Sequence, residues 1–545
     1  MARTPLLRSI RQIARDVRAS KQTGIPVDEL REIRAEHRRE QLSRRNFLAG
    51  AAAGAAVLAM PTMARAGKNQ PKVIIVGGGI AGLNCALTLR DKGYSSTVYE
   101  ASGRLGGRMF SNNNGYWAGN QVSEWCGEFI DTGHKTIRNL AARYGLPLDD
   151  LLDAQPNGSD DIYYFDGNYY AKAQANADFE DMFDIVQADL DAAPFPTLYN
   201  SFTAEGLELD HMSVYDWIES RVPGGHRSPL GQLLDVSYTT EYGADSRVQS
   251  SLNLLYLLAF QDTTTQLDLY GESDERSHVR GGNQLIPLAI ANDLGDDVVQ
   301  TGHRLVKLAQ TSGGRYTATF ERANGCVDVT ADFVVLALPF AVLAGVDTAH
   351  AGFDNLKNTA IQQLGRGHNG KLQMQFHTRQ AWLGQKLDGK GPWPGKSNGS
   401  SYVDAGYQSG WEVTRAQPGT VGILGNYSGG SVTDAMKTQS PFATATDPNV
   451  QRDVAKGLAQ LAPVYPGLDW NGRATQSLPH KSPFFNLAYS YWKIGQYTQF
   501  SGYEIVPQGG VYFCGEHTSI DFQGFMEGGA STGKSTAKDL AKVLK

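Results

Sequence analysis

The sequence predicts an α/β protein whose main domain is built on a parallel sheet. Val73–Val76 is a short β-branched run of the kind found in buried parallel strands. Leu83–Arg90 then continues at helical spacing, and a second strand-like run follows at Ser96–Tyr99. A third buried run, Asp332–Pro339, ends in a turn much later in the chain, so we expect the sheet to be assembled from separated segments.

Three glycines between the first strand and the first helix form the pattern G-x-G-x-x-G. Gly77 permits a tight turn, Gly79 lets the backbone approach a pyrophosphate, and Gly82 lets the helix pack closely on the strand. The helix N-terminus then faces the phosphates. Glu100 ends the second strand, eighteen residues after Gly82, where its carboxylate can accept both hydroxyls of an adenosine ribose. The unit predicts a dinucleotide site and leaves FAD and NAD as alternatives.

The segment directly after this acid favours FAD. Its sequence, Gly-Arg-Leu-Gly-Gly-Arg at 103–108, resembles the flavin-containing amine oxidase family, which includes monoamine oxidases, polyamine oxidases and L-amino acid oxidases. The resemblance extends over nearly all of residues 71–543. It implies FAD as the cofactor and places Arg108 beside the FAD pyrophosphate.

Two later segments also resemble this family. His303–Leu308 is similar to the strand whose backbone contacts the adenine, which implies this role for Val306. VYFCGEHT and GFMEGGASTGKSTA resemble the closing signature, which implies Glu516 on the ribityl chain and the backbone of Met526 at the flavin pyrimidine. A helix that begins near Met526 would direct its positive end at the reduced flavin. Gly528–Ser535 also matches the phosphate-loop pattern G-x-x-x-x-G-K-[ST], but we interpret it as the small-residue face of that helix.

The resemblance implies two domains, each formed by separated parts of the chain. A Rossmann-type FAD-binding domain is expected to comprise residues 67–148, 273–345 and 489–545. An α+β substrate-binding domain is expected to comprise residues 149–272 and 346–488. Its first part, including Leu252–Phe260, predicts helices, whereas the glycine-rich turns of its second part predict strands and long loops.

The family oxidises a C–N bond and passes the electrons to oxygen. The resemblance implies that Lys371 holds a water molecule against the flavin and assists oxygen reduction to hydrogen peroxide. Two aromatic rings flank the substrate nitrogen in this family; Phe525 matches one, and Trp492 or Tyr497 is expected at the other. Plain core packing is the alternative for each ring, and a solvated strand position is the alternative for the lysine. No cysteine occurs at Gly495–Tyr497, where a covalent flavin link would fall, so noncovalent FAD is expected.

The substrate class is less clearly indicated. L-amino acid oxidases commonly bind the substrate carboxylate with an arginine in an L-G-x-M-R segment, and the corresponding stretch, Glu124–Asp131, contains no arginine. This favours an amine without an α-carboxylate. Because Arg415 or Arg280 could reach the pocket from elsewhere, L-amino acid oxidase remains the main alternative. A flavin dehydrogenase with a carrier-protein acceptor and a non-catalytic FAD-binding protein are the further alternatives.

Charge and cysteine usage limit the partners. Residues 1–66 carry 13 arginine or lysine residues against six acidic ones, so the rest of the chain has a formal charge of −13. Such a body disfavours nucleic acid and favours cationic substrates through its long-range field. The four cysteines lie far apart and form no C-x-x-C, so we expect free thiols and no metal site. The oligomeric state is not determined, and a homodimer is compatible with the sequence.

The first 66 residues predict an export signal. SRRNFLAGAAAGAAVLAMPTMARA joins the pair Arg44–Arg45 to a weakly apolar run, Phe47–Met63, and to a small-residue site that ends at Ala66. A membrane anchor is the alternative, but the run is short, mostly alanine and glycine, and broken by Pro61. The twin-arginine machinery carries folded proteins, typically with their cofactor. A periplasmic or secreted flavoprotein is therefore expected.

Overall fold

A computed structural model describes residues 71–261, 265–379, 382 and 396–544. The predicted export signal lies outside the described residues and stays a prediction. No helix within these ranges is both long enough and apolar enough to cross a membrane.

A five-stranded parallel sheet forms the centre of the predicted nucleotide-binding region. Val73–Val76 is its middle strand, and all four of its residues are buried, as the β-branched run predicts. Its two neighbours confirm the other predicted strands, with slightly shorter bounds. In spatial order the sheet consists of Val511–Phe513, Phe333–Leu336, Val73–Val76, Thr97–Tyr99 and Val299–Gln300.

Two helices pack tightly against each other beside this sheet. The helix Ile80–Asp91 follows the glycine turn, and the C-terminal helix Met526–Val543 lies across it. A Cβ atom on Gly533 would stand 2.1 Å from the carbonyl oxygen of Ala81, so only glycine permits this approach. Gly528–Ser535 therefore lies inside an 18-residue helix, which confirms the small-residue face and excludes a phosphate loop.

Among the described residues, a four-stranded sheet and three two-stranded sheets accompany the five-stranded sheet. A four-stranded sheet contains the strand predicted at His303–Leu308, which is observed at Arg304–Gln310. Its strands in spatial order are Gly325–Ala331, Tyr316–Arg322, Arg304–Gln310 and Asp347–His350. Two-stranded pairs join Ser111–Asn112 to Ser123–Glu124, Leu148–Asp150 to Ser277–Val279, and Gly365–Arg366 to Ser490–Tyr491.

The predicted substrate-binding region is organised by an eight-stranded mixed sheet. Asn369–Phe376 lies inside it and is buried along its whole length. This agrees with the strands predicted for the second part of the region. In spatial order the sheet consists of Phe442–Thr444, Trp470–Ser477, Asn369–Phe376, Gly422–Gly429, Ser409–Glu412, Lys396–Val403, Ser159–Phe165 and Asn168–Tyr170.

Helices cover both regions. The helix predicted at Leu252–Phe260 is observed at Ser251–Leu258, where the Ser250 side chain accepts a hydrogen bond from the Leu252 N–H and caps its start. In the substrate-binding region the helices are Lys172–Glu180, Phe183–Ala192, Ala204–Asp210, Val214–Arg221, Pro229–Tyr242, Ser251–Leu258, Asn355–Gln363, Gly430–Asp434 and Pro448–Leu461. In the nucleotide-binding region they are Ile80–Asp91, Lys135–Arg143, Leu285–Leu294, Phe340–Leu343, Gln496–Phe500 and Met526–Val543.

Candidate active site

A cavity of about 630 Å³ is lined by residues of both regions. One part of its wall consists of the glycine turn, the segment that follows Glu100, and the start of the C-terminal helix. Another part consists of carboxyl and tyrosine side chains that the substrate-binding region contributes. A large concave space with a mostly apolar wall and several placed polar groups is the usual form of a cofactor and substrate site.

The glycine turn has the geometry that its sequence predicts. Gly77 has a φ of +112°, and a Cβ there would stand 2.6 Å from the carbonyl oxygen of Ala337. A Cβ on Gly82 would stand 2.0 Å from the Gly77 carbonyl oxygen, so helix and turn are in direct backbone contact. A Cβ on Gly79 would meet only Gly107, at 3.9 Å, and the backbone is open there. The cradle leaves room for a phosphate at Gly79.

Glu100 is fixed in the cavity wall by backbone and hydroxyl donors. One carboxylate oxygen accepts the Gly78 N–H at 2.7 Å. The other accepts the N–H and the hydroxyl of Ser102 at 2.9 and 2.7 Å. These contacts hold the carboxylate at the end of its strand. The predicted ribose contact stays a prediction.

An ion pair joins Arg108 to Glu516, two residues 408 positions apart in the chain. Arg108 donates to Glu516 and to the Ala488 carbonyl, each at 2.9 Å, and the other oxygen of Glu516 accepts the Gly524 N–H. Burial alone would raise the pKa of the Glu516 carboxyl, but Arg108, His517 and this N–H lower it below its ordinary value. The sequence predicts separate pyrophosphate and ribityl roles for these two residues. The structure shows that the two side chains also form an ion pair with each other.

The C-terminal helix begins at the cavity. Phe525 is its N-cap residue and Met526 its first residue, and both line the wall. The carboxylate of Glu527, in the first turn of this helix, accepts hydrogen bonds from the N–H groups of Thr136 and Ile137 at 2.9 and 2.8 Å. The helix therefore directs its positive end at the cavity, as expected for a site that holds a negative group.

Like Gly82, the predicted cofactor residue Val306 does not line the cavity. It lies between Leu305 and Lys307, where the register with the neighbouring strand shifts. Three residues before Val306, the His303 N–H donates to the Glu100 carbonyl at 2.8 Å and holds the start of the strand near the cavity. Val306 is therefore not part of the cavity lining, and its contact with the adenine stays a prediction.

One buried side chain indicates a polar ligand. Gln523 lines the cavity and is only 3 % exposed. Among the described residues, neither its amide nitrogen nor its amide oxygen has a hydrogen-bond partner. An unpaired buried amide is costly, and a bound group that offers both a donor and an acceptor would satisfy it. Together with the open backbone at Gly79, this amide fits a dinucleotide with polar edges.

Lys371 lines the cavity with a buried ammonium group. It donates to the Glu128 carboxylate at 2.6 Å, to the Cys126 carbonyl at 2.9 Å, and to the Glu124 carbonyl at 3.4 Å. An ammonium has three donors, so protein groups engage all of them. The longest contact is the weakest and is the one that a water molecule could replace. The predicted water-holding role stays a prediction.

The structure does not bring Trp492 or Tyr497 to this cavity. Both line a separate small pocket, and their rings pack on each other with centroids 5.0 Å apart. The Tyr497 hydroxyl donates to the side-chain oxygen of buried Asn253 at 3.1 Å. The turn that ends at Gly495, with φ of +79°, directs both rings into the protein core. The expectation of a cage ring here is wrong, and core packing is the observed role.

Tyr489 lines the cavity instead. Its hydroxyl donates to the Thr240 carbonyl at 2.9 Å and lies 3.0 Å from the hydroxyl of Tyr427. Its ring lies 3.9 Å from a Cβ position built on Gly524, which precedes Phe525. The stretch YSYWKIGQY holds four aromatic residues in nine positions, and the sequence pattern alone did not distinguish which one faces the cavity.

Three carboxyl groups line the substrate side of the cavity, namely those of Glu128, Glu241 and Glu275. Glu128 accepts from the Trp411 indole at 2.8 Å as well as from Lys371. Burial raises the pKa of Glu241 to about 7. Burial and the nearby acids raise the pKa of Glu275 well above its ordinary value. No sequence motif marks Glu241 or Glu275, so neither residue was predicted.

Neither of the arginines considered as carboxylate ligands is among the described residues that line the cavity. Arg280 is paired with Asp149, and its side chain is 67 % exposed. Arg415 donates to the Asn398 carbonyl and to Ser400, which lines the cavity, and its charge interacts with Glu275. Among the described residues that line the cavity, the arginines are Arg104 and Arg108, both in the predicted pyrophosphate segment. The four cysteines are free thiols, as expected.

The fold and the cavity define an enzyme that holds a dinucleotide against a buried pocket lined by carboxyl and aromatic groups. The chain belongs to the family described as flavin-containing amine oxidoreductases, whose model matches residues 80–541. It is a flavin-dependent amine oxidoreductase with FAD as its cofactor.

The individual relatives are named for different enzyme activities. The chain is 24 % identical over 493 residues to an L-amino acid dehydrogenase of Synechocystis sp., covering 86 % of this chain and 95 % of that one. It is 23 % identical over 480 residues to polyamine oxidase 7 of Oryza sativa subsp. japonica, covering 85 % and 93 %. The structure of cyclohexylamine oxidase from Brevibacterium oxydans IH-35A shares the fold, with a TM-score of 0.71, 19 % identity, and coverage of 87 % and 100 %.

Proposed function

We propose that this protein is an oxidase of amines that lack an α-carboxylate, with hydrogen peroxide as a product. The carboxyl-lined wall around Glu128, Glu241 and Glu275 carries this proposal. An ammonium group near these acids would favour their ionised form and gain attraction from it. A carboxylate at the same place would be repelled by these acids in their ionised form and would instead keep Glu241 and Glu275 protonated, and no arginine among the described lining residues lies on this side.

The proposed reaction breaks a C–H bond next to nitrogen. A hydride equivalent leaves the amine carbon, and the resulting imine is hydrolysed by water to an aldehyde or ketone with release of ammonia or an amine. Bound FAD supplies the acceptor for the hydride equivalent, and oxygen then takes the two electrons and two protons as hydrogen peroxide. The protein orients the amine and keeps bulk water from the reacting carbon.

The cavity residues supply that orientation. Tyr489 is held by Thr240 and Tyr427, and its ring lies 3.9 Å from a Cβ position built on Gly524, the residue before Phe525. We assign these two rings to the neighbourhood of the substrate nitrogen. Lys371 is the expected residue for the oxygen step. The Rossmann-type nature of the FAD domain, its separated segments and noncovalent attachment of FAD belong to the same proposal.

Paired substrates test the amine assignment. We expect an amine to bleach the flavin absorbance under anaerobic conditions at least about tenfold faster than the L-amino acid that differs from it only in the α-carboxylate. Glu275→Gln keeps the volume nearly constant and removes the carboxyl group that a bound ammonium would ionise, so it should reduce this preference by about tenfold, equal to roughly 1.4 kcal/mol. Stopped-flow absorbance measures both rates.

A matched control for this experiment is Glu180→Gln, which changes an exposed acid at the end of its helix. The control should leave the preference unchanged. Faster reduction by the amino acid in the wild-type protein would overturn the amine assignment and support an L-amino acid oxidase. Slow reoxidation by oxygen, with turnover restored by an artificial acceptor, would instead indicate a dehydrogenase.

We also propose that the protein is exported by the twin-arginine route. The pair Arg44–Arg45 and the weakly apolar run after it support this proposal. Arg44→Lys combined with Arg45→Lys should keep the protein in the cytoplasm, still folded and flavinated. Cell fractionation followed by immunoblotting measures the distribution. Normal export of the double variant would refute this route.

A further inference from the structure

Three potential metal ligands from distant segments meet beside the cavity wall. His368 precedes the strand Asn369–Phe376, Asp434 ends a short helix, and His480 lies in the turn Pro479–Lys481. One ligand atom from each of the three side chains lies within 4.8 Å of the others. We refer to His368, Asp434 and His480 as the histidine cluster.

The side chains of the histidine cluster are already arranged around one another. The Nδ1 atom of His368 lies 2.7 Å from a carboxylate oxygen of Asp434. The rings of His368 and His480 stack with their centroids 4.5 Å apart and an interplanar angle of 18°. Among the described residues, the buried Nδ1 atom of His480 has no hydrogen-bond partner. The cluster thus contains an imidazole nitrogen whose bonding capacity the protein leaves unused.

We propose that the histidine cluster binds a divalent transition-metal ion of the Zn²⁺ class. Two imidazoles and one carboxylate are a donor set that suits Zn²⁺ and is less suited to Mg²⁺ or Ca²⁺, which prefer oxygen ligands. Ligands at about 2.0–2.2 Å from one ion lie closer together than 4.8 Å, and imidazole lone pairs lie in the ring plane, so the site must contract and the stacked rings of His368 and His480 must rotate to reach one ion. Asp434 is 57 % exposed on its side chain and is free to rotate as well.

The position of the histidine cluster connects it to the cavity. Asn369 and Pro479, the chain neighbours of the two histidines, both line the cavity. The His368 N–H donates to the Gly243 carbonyl at 2.7 Å, and its carbonyl accepts the Gly430 N–H at 3.1 Å. Lys481 follows His480, but its ammonium donates to the Met436 carbonyl instead of entering the cluster. A bound ion would therefore fasten two segments of the cavity wall to the short helix that ends at Asp434.

Zinc titration of the chelator-treated holoenzyme tests this proposal. We expect saturable binding of one Zn²⁺ per chain by isothermal titration calorimetry, and a rise in the unfolding temperature on zinc addition. His480→Ala and, separately, Asp434→Asn should each weaken the affinity by at least about tenfold, and Asp434→Asn changes an exposed group, so the fold is preserved. His226→Ala is the matched control, because His226 also contacts two carboxylates, those of Glu219 and Asp235, without a second histidine.

The control variant should bind zinc as the wild-type protein does. An absence of saturable binding at one equivalent in the wild-type protein would overturn the proposal. Binding that persists unchanged in both His480→Ala and Asp434→Asn would overturn it as well, because the ion would then lie elsewhere. Neither readout depends on catalytic turnover, so the result is independent of the proposed amine oxidation.

Discussion

Replacement of Lys371 by methionine should slow reoxidation of the substrate-reduced enzyme by oxygen by about 10²-fold or more, equal to roughly 3 kcal/mol in a barrier. Methionine keeps a similar length but removes the buried ammonium that we assign to the oxygen step. Anaerobic bleaching of the flavin absorbance by substrate should stay close to the wild-type rate. Stopped-flow measurement of the two half-reactions separates these effects.

The structure adds a second consequence of this change. Lys371 and Glu128 form a buried ion pair at 2.6 Å, so the single substitution leaves a buried carboxylate with Trp411 as its remaining side-chain donor. Loss of one partner of a buried pair costs about 3–5 kcal/mol. Lys371→Met combined with Glu128→Gln removes this unpaired charge and is the matched control.

The double variant should recover stability while oxygen reactivity remains low. Thermal unfolding of the wild-type, single-variant and double-variant holoenzymes measures the first property. If both variants reoxidise at the wild-type rate, Lys371 has no part in the oxygen step. If the double variant recovers both stability and oxygen reactivity, the lysine acts only by neutralising Glu128.

Gly82→Ala should reduce FAD affinity by at least about 10²-fold, equal to roughly 2.7 kcal/mol. The added methyl group would stand 2.0 Å from the Gly77 carbonyl oxygen, and backbone atoms on both sides must separate to admit it. The helix that begins beside the cradle would shift away from the turn, and its N–H groups would no longer point at the phosphates. FAD retained after gel filtration, released by acid precipitation and measured by absorbance, reports the loss.

Gly103→Ala is the matched control in the same segment. A Cβ at Gly103 meets no described atom within 4 Å, and its φ lies outside the left-handed region. This variant should keep its FAD. Full FAD content in Gly82→Ala would show that the close contact is not required for the cofactor site. Colour that stays with the acid precipitate of the wild-type protein would contradict noncovalent attachment.

The glycine turn and the C-terminal helix were predictable because each depends on neighbours in the chain. Gly77 must adopt a positive φ and Gly82 must lack a Cβ, and local spacing shows both requirements. The helix that starts at Met526 has small residues on the face that packs on Ala81, so the close packing of this face could be predicted from the helix sequence. The order of the strands in the five-stranded sheet was not predicted from the sequence and comes from the tertiary structure.

The cavity wall was not predictable in the same way. Trp492 and Tyr489 lie three positions apart in one aromatic-rich stretch, yet one enters the core and the other faces the cavity. The direction depends on the turn at Gly495 and on partners such as Asn253, which are distant in the sequence. Residue types alone did not indicate which ring faces the substrate.

The sequence by itself determined that this protein binds a dinucleotide, which backbone segments form the cradle, and that a flavin amine oxidase resemblance covers the chain. The tertiary structure alone decided what surrounds the substrate. Lys371 meets Glu128 across 243 positions of sequence, and Glu241 enters the same cavity from another helix. Side chains that converge from separate segments have no common spacing in the sequence. Their charges interact only after folding excludes water and brings them within a few ångströms.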